Sequence, residues 1–188
     1  MHHQAILFYH GRRYFTPDPS GPFHLLDCVF MEDEMEESGK YDASKYWKPS
    51  LTADVVLIAV DEQGQREVLL IRRKNSPFQG SWAFPGGFLD QGETTRRCAV
   101  REMKEETGVT IAEDRLHLLL VADDPHRDPR TRVISIVYVV QGRKSDFSPS
   151  AGDDASDVDW FPLDKPPQLA FDHAWILQKA NGGIGDIL

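Results

Sequence analysis

From Ala53 to Val60 the chain reads ADVVLIAV, a nearly unbroken apolar run rich in β-branched residues. Such a run predicts a strand buried on both faces. Asp61-Glu62-Gln63-Gly64 supplies turn chemistry, and residues 67–73 (EVLLIRR) predict a second strand. Residues 76–92 hold four glycines and two prolines and are expected to be loop. The pattern then changes period. Neither Gly nor Pro occurs between Glu93 and Thr107, and Ala99, Val100 and Met103 recur at helical spacing. Glu93 or Thr94 can open this helix, and Gly108 closes it. Residues 116–122 and 132–140 (RVISIVYVV) predict further strands, and residues 157–161 (DVDWF) a short one. Asp172 is placed as N-cap of a final helix from His173 to Ala180. Strands outnumber helices around at least one strand–loop–helix unit. The expected class is α+β, an α/β/α sandwich on a central mixed sheet.

The first 50 residues read differently. Residues 5–9 (AILFY) and 12–15 (RRYF) flank His10-Gly11 and predict a hairpin. The stretch T-P-D-P-S-G-P breaks regular structure, residues 24–31 resemble a strand or short buried segment, and residues 32–50 form a polar, acidic connector. We therefore divide the chain into an extension, residues 1–50, and a main domain, residues 51–188. The extension carries no nameable chemistry and reads as an edge hairpin or dimer contact.

Composition narrows the partners. A chain of 188 residues with 40% apolar content suits one globular domain with a small appendage. A net charge of −9 gives no broad attraction for a nucleic-acid backbone or an anionic membrane. A phosphorylated substrate would need local cations, from a metal or from a few placed Arg and Lys. Cys28 and Cys98 show neither zinc spacing nor a disulfide framework, so a reduced, cytoplasmic setting is expected. No signal peptide is evident, and no apolar run approaches the roughly 18 residues that span a bilayer.

The chemistry concentrates in residues 86–109, GGFLDQGETTRRCAVREMKEETGV. On a helix Glu102 shares a face with Glu105 and Glu106, and like charges at that spacing repel. Arg101, four residues before Glu105, relieves part of this repulsion. A carboxylate cluster beside a glycine-rich loop suits a hard divalent cation. Mg²⁺ takes oxygen ligands and keeps open positions for phosphates. A solvated acidic helix face is the bland alternative.

The spacing decides between them. Gly87 is followed after five residues by Glu93, then after seven by Arg101-Glu102, apolar Met103, Lys104, Glu105-Glu106, Thr107, Gly108 and apolar Val109. This resembles the Nudix box at every fixed position, and the resemblance extends over most of residues 51–180. It implies the Nudix fold and Mg²⁺- or Mn²⁺-dependent hydrolysis of a nucleoside diphosphate derivative. Glu102 and Glu106 then look like the main metal ligands, with Glu105 a further ligand or metal-water contact and the Gly86 carbonyl a backbone ligand. Arg101 looks like the residue that orients the glutamates. Glu93 supports the site.

Looser signals point to one corner of the family. Pro125, the stretch His126-Arg127-Asp128-Pro129-Arg130, residues 151–155 (AGDDA), Trp160-Phe161 and residues 169–173 (LAFDH) resemble bacterial ADP-ribose pyrophosphatases and ADP-ribose-sensing regulators. ADP-ribose is the expected substrate, cleaved to AMP and ribose 5-phosphate. Arg127, Arg130 and Arg132 are candidates for phosphate or ribose contacts. Phe78 or Trp82 is a candidate to stack on adenine. The general base stays open between Glu102 and Glu105 inside the box and Asp153 and Asp154 outside it. One alternative is another nucleotide substrate: NADH, a dinucleoside polyphosphate or an oxidised nucleoside triphosphate. The other is a non-catalytic regulator, which the intact box, the short remainder after the last helix and the net charge oppose. That corner of the family also makes a homodimer an expectation.

Overall fold

A computed structural model of the chain describes residues 6–9, 12–15, 42–152 and 155–183. The chain divides into two units, residues 1–47 and 48–188. In the first, β1 (Ile6–Tyr9) and β2 (Arg12–Phe15) pair as an antiparallel hairpin with Ile6 opposite Phe15. The strand expected at 24–31 and most of the connector lie outside the described residues. Residues Ala43–Lys45 form a 3₁₀ turn, with the Ser44 amide and hydroxyl both bonded to Asp42.

The second unit is built on β3 (Ser50–Val60). It pairs in parallel with β8 (Val133–Arg143), from Ser50 opposite Val133 to Val60 opposite Arg143. The other flank of β3 is shared. Ile58–Val60 pairs with β4 (Arg66–Arg73), while Thr52–Asp54 pairs with β6 (Gly86–Phe88). On β4 lie β5 (Trp82–Ala83) and β9 (Ala155–Pro162), and β7 (His117–Ala122) lines the far side of β8. All these pairings except β3–β8 are antiparallel, so the sheet is mixed.

Residues 76–92 are therefore not wholly loop. Once β4 leaves the flank of β3, the backbone of Thr52–Asp54 needs new partners, and β6 supplies them. Two glycines in a strand ordinarily weaken it, but they allow close backbone approach. A Cβ on Gly86 would collide with the Ala53 carbonyl and the Asp54 carboxylate.

Side chains of β3 alternate between two cores, as a period of two requires. Ala53, Val55, Leu57 and Ala59 join Cys98, Ala99 and Met103 of α1 (Thr95–Thr107). Val56 and Ile58 join Ile176, Leu177 and Ala180 of α2 (His173–Gly183). This gives the expected helix–sheet–helix layers. Thr94 caps α1 by accepting the Arg97 N–H at 3.2 Å, and Gly108 ends it with φ 69°. That left-handed conformation favours glycine. Asp172 precedes α2 as expected, but its carboxylate takes both Nε and Nη2 of Arg127, at 2.9 and 2.8 Å. Its backbone carbonyl receives the Trp175 and Ile176 amides. Among the described residues no helix is long and apolar enough to cross a membrane.

His173 opens α2 as a buried structural group. Its Nδ1 accepts the Phe84 N–H at 3.0 Å, and its ring stacks on Phe84 at 4.7 Å. Burial lowers its pKa from 6.5. Arg127 and Arg73 add to the shift, while Asp54 and Asp172 oppose it. The folded protein thus binds this proton less readily than the unfolded chain. The stabilisation is complete above pH 6.5 and declines as pH falls below it. We expect the melting temperature to drop as pH falls below about 6.5, and less steeply in His173→Gln, which keeps an acceptor. Parallel pH profiles would contradict this assignment.

Candidate active site

The loop before α1 and the helix itself carry the carboxylates. Arg101 gathers three of them. Its Nε and Nη2 meet the Glu93 oxygens at 3.0 and 2.9 Å, and Nη1 meets Glu102 at 2.6 Å and Glu105 at 3.1 Å. Nη2 also donates to the Phe88 carbonyl at 3.1 Å, tying the helix to β6. Hydrogen bonding to Arg101 holds the Glu93 carboxyl down at about 2, and the same contacts raise the pKa of Arg101. Glu105 is the most open of the three, with its side chain 57% exposed. Backbone approaches Glu102 so closely that a Cβ on Gly87 would strike its carboxylate.

Glu106 lies deeper. It is 8% exposed and accepts the Gly86 N–H at 2.9 Å. Burial pushes its pKa up to about 8, with Glu102 and Asp54 adding to the effect. Burial likewise raises Glu102, against the pull of Arg101. Asp54 is itself buried and accepts a short hydrogen bond from the Ser135 hydroxyl. Glu102 and Asp54 thus both act on the Glu106 carboxyl under the loop. Among the described residues no three His, Cys, Asp or Glu side chains already stand together as a ligand set. Glu93, Glu102 and Glu105 are turned to Arg101, and Glu106 to Gly86.

The remaining expected residues are spread over nearby loops. Arg127 is 5% exposed, its fork filled by Asp172; burial opposes its charge, but the Asp172 contacts raise its pKa nonetheless. Arg130 is bidentate to Asp128 at 3.0 and 2.7 Å, with its guanidinium 5.1 Å from the Phe88 ring and 5.7 Å from that of Phe171. Arg132 donates to the Asp123 carbonyl. Phe78 is 43% exposed and meets Phe171 edge to face at 4.7 Å. Both phenylalanines have positive φ, 60° and 52°, a conformation costing about 1–2 kcal/mol per non-glycine residue. Strain of this kind collects at functional sites. Trp82 instead packs on Phe161 at 4.6 Å. Asp153 and Asp154 lie outside the described residues; the preceding Gly152 donates its N–H to the Glu106 carbonyl at 3.0 Å.

Three neighbours escape a reading by spacing alone: Asp54, Arg73 and Phe171. Asp54 had a signal, since a carboxylate inside the run ADVVLIAV must be buried and hence partnered. Arg73 had none, because only the fold brings the end of β4 to the start of α2, and Phe171 stood in the stretch 169–173 without a role of its own.

Comparison with known proteins supplies relatives for the chain as a whole. The NUDIX domain model matches residues 50–180. An ADP-ribose pyrophosphatase of Methanocaldococcus jannaschii is 41% identical over 71% of this chain and 73% of its own length. The ADPR responsive transcriptional repressor NtrR of Acinetobacter baylyi is 34% identical over 81% of this chain, which spans 61% of the repressor. Among solved structures, the NUDIX domain of Shewanella oneidensis NrtR complexed with ADP ribose superposes with a TM-score of 0.67. It is 30% identical, with 77% of this chain and 94% of that one covered. With its box, mixed sheet and flanking helices in place, the chain belongs to the Nudix family.

Proposed function

We propose that the protein hydrolyses the diphosphate bond of a nucleoside diphosphate derivative, with Mg²⁺, and that ADP-ribose is cleaved to AMP and ribose 5-phosphate. The observation that carries this reading is the buried Glu106 beside Glu102 and Asp54. Glu106 accepts a backbone N–H, and none of the ion pairs among the described residues includes it. Buried carboxylates in such company need a proton or a cation. All-oxygen donors suit a hard divalent ion, so the residues fit Mg²⁺ or Mn²⁺. Glu102, Glu105, Glu106 and the Gly86 carbonyl would hold it. When bound, such an ion withdraws charge from phosphate oxygens and acidifies an attacking water.

The chain's own residues do the rest. Arg101 fixes the rotamers of Glu93, Glu102 and Glu105. Water activation falls to one of the carboxylates Glu102, Glu105, Asp153 and Asp154. Arg130 and Phe78 border the substrate, and Arg127 positions the loop before α2 through Asp172. The same reading places the protein in the cytoplasm as a homodimer. The relation to the M. jannaschii enzyme supports the substrate.

A nucleotide panel with Mg²⁺ and Mn²⁺, its products separated by chromatography, tests this. ADP-ribose should release AMP and ribose 5-phosphate, and chelation should stop it. A preference of about tenfold or more in kcat/KM for NADH, a dinucleoside polyphosphate or a nucleoside triphosphate would reject the substrate. The A. baylyi relative favours one second reading, a sensor that binds ADP-ribose without turnover. Tight binding with no products would select it.

A further inference from the structure

Away from the box, the sheet ends on a row of cross-strand neighbours. Val60 closes β3, with Arg66 of β4 opposite it on one flank and Arg143 of β8 on the other. Side chains paired in this way project from the same face of a sheet. For Val60 that is the face of Val56 and Ile58, against which α2 packs. Neighbouring strands lie about 4.8 Å apart, so the two arginines start about 10 Å from each other with Val60 between them. The row lines an open cleft of about 1200 Å³, which Ile58 and Gln141 line as well. Six residues separate Val60 from Asp54, roughly 20 Å of strand, so the cleft is distinct from the site at the box.

Neither arginine has a counter-ion. None of the ion pairs among the described residues includes Arg66 or Arg143. Arg66 is partly buried, and its Nη2 is buried with no hydrogen-bond partner. Its Nη1 makes a long contact, 3.4 Å, with Asn181 Oδ1 in the last turn of α2. A buried guanidinium nitrogen left in this state carries a desolvation cost that no bond returns. The other charges around the cleft are already engaged. Lys144 pairs with Glu67 at 2.5 Å. Asp61 accepts the Gln63 and Gln65 amides at 2.9 and 2.7 Å, and Asp146 accepts the Arg143 amide at 3.2 Å. Glu62 lies exposed in the turn at the rim. An anion with several oxygens would complete the arrangement, and arginine forks match the oxygens of a phosphoryl group. The apolar surface of Val60 suits an organic body attached to it.

We propose that Arg66 and Arg143 form a second ligand site, at the end of β3 remote from the box, which clamps the phosphoryl group of a phosphate monoester over Val60. The test titrates inorganic phosphate and phenyl phosphate, without metal, into wild type, Arg66→Gln and Arg143→Gln. Calorimetry gives the affinities, and backbone amide NMR shifts locate the ligand. In the wild type, shifts should centre on Val60, Gln141 and Arg143 rather than on Gly86 and Gly87. Each substitution should weaken binding by about tenfold or more. ADP-ribose turnover with Mg²⁺ should be unchanged in both variants. Without ligand, Arg66→Gln should melt at or above the wild-type temperature, because it removes the unpartnered nitrogen. If Arg66→Gln fails to fold, the exposed Arg143 carries the comparison alone. Phenyl phosphate binding more tightly than inorganic phosphate supports the monoester; equal affinities would reject the organic body. Shifts confined to the box, affinities untouched by either substitution, or no binding of either probe up to about 10 mM would overturn the site.

Discussion

Glu106→Gln should yield a folded protein whose kcat falls by at least about a hundredfold. The amide keeps an acceptor for the Gly86 N–H, so β6 and α1 stay joined. What disappears is a carboxyl that burial, Glu102 and Asp54 keep protonated below about pH 8 and that a bound cation would hold ionised. In the absence of metal ionising it is unfavourable, because desolvation and like-charge repulsion act together. The metal-free variant should therefore melt at or above the wild-type temperature. Saturating Mg²⁺ should raise the melting point of the wild type much more than that of the variant, since an ion that binds the folded state stabilises it by mass action. Retained turnover, or an unchanged response to Mg²⁺, would remove Glu106 from the metal site. Loss of activity together with a collapsed melting point would show that the amide disrupts packing.

Arg101→Ala should have the second-largest effect, on stability and activity together. One guanidinium holds Glu93, Glu102 and Glu105 and anchors the Phe88 carbonyl. Without it the three carboxylates repel, and Glu93, only 12% exposed at its side chain, is left without its cation. Arg101 is 26% exposed, so solvent screening reduces the loss from the value for a fully buried pair. A destabilisation of about 1–3 kcal/mol is expected, a fall of several degrees in Tm. The pH dependence has a definite sign. Arg101 holds the folded Glu93 near 2 against an ordinary 4.5. The stabilisation is therefore present above about pH 4.5 and lost as pH falls toward 2. The gap between wild type and variant should narrow over that window, in denaturant titrations at stepped pH. Arg101→Lys should recover charge but not the multiple contacts, and should stay close to Ala in kcat. A gap that is flat with pH would mean that Glu93 owes its low pKa to something else.

The helix of the box was legible because it states its own limits: Thr94 before it, Gly108 after it, and Ala99 and Met103 on one face. The strands at 53–60, 67–73 and 132–140 were legible as apolar runs. The loop 76–92 was misread in part, since β6 exists only because β4 leaves the flank of β3, and no local pattern of Gly86-Gly87-Phe88 encodes that departure. Within the site, spacing identified Glu93, Arg101, Glu102, Glu105 and Glu106 as a group. It assigned Arg101 to Glu105, whereas the guanidinium also reaches Glu93 in the preceding loop, a contact that depends on how the chain turns at Asp90. Arg127 and Arg130 read as candidates for phosphate or ribose contacts, and their pairing was not legible, because Asp172 is remote in sequence and Asp128 is no more than an adjacent turn residue until its carboxylate is seen to face the guanidinium.

The parallel pairing of β3 with β8 also shapes how the protein is made. During synthesis β3 and the whole box leave the ribosome before Val133–Arg143 emerges, so the edge of β3 waits uncovered. A nascent chain in that condition is exposed to wrong pairing until β8 arrives. Substitutions that weaken β8 should therefore lower soluble yield more than they lower the equilibrium stability of protein that has already folded.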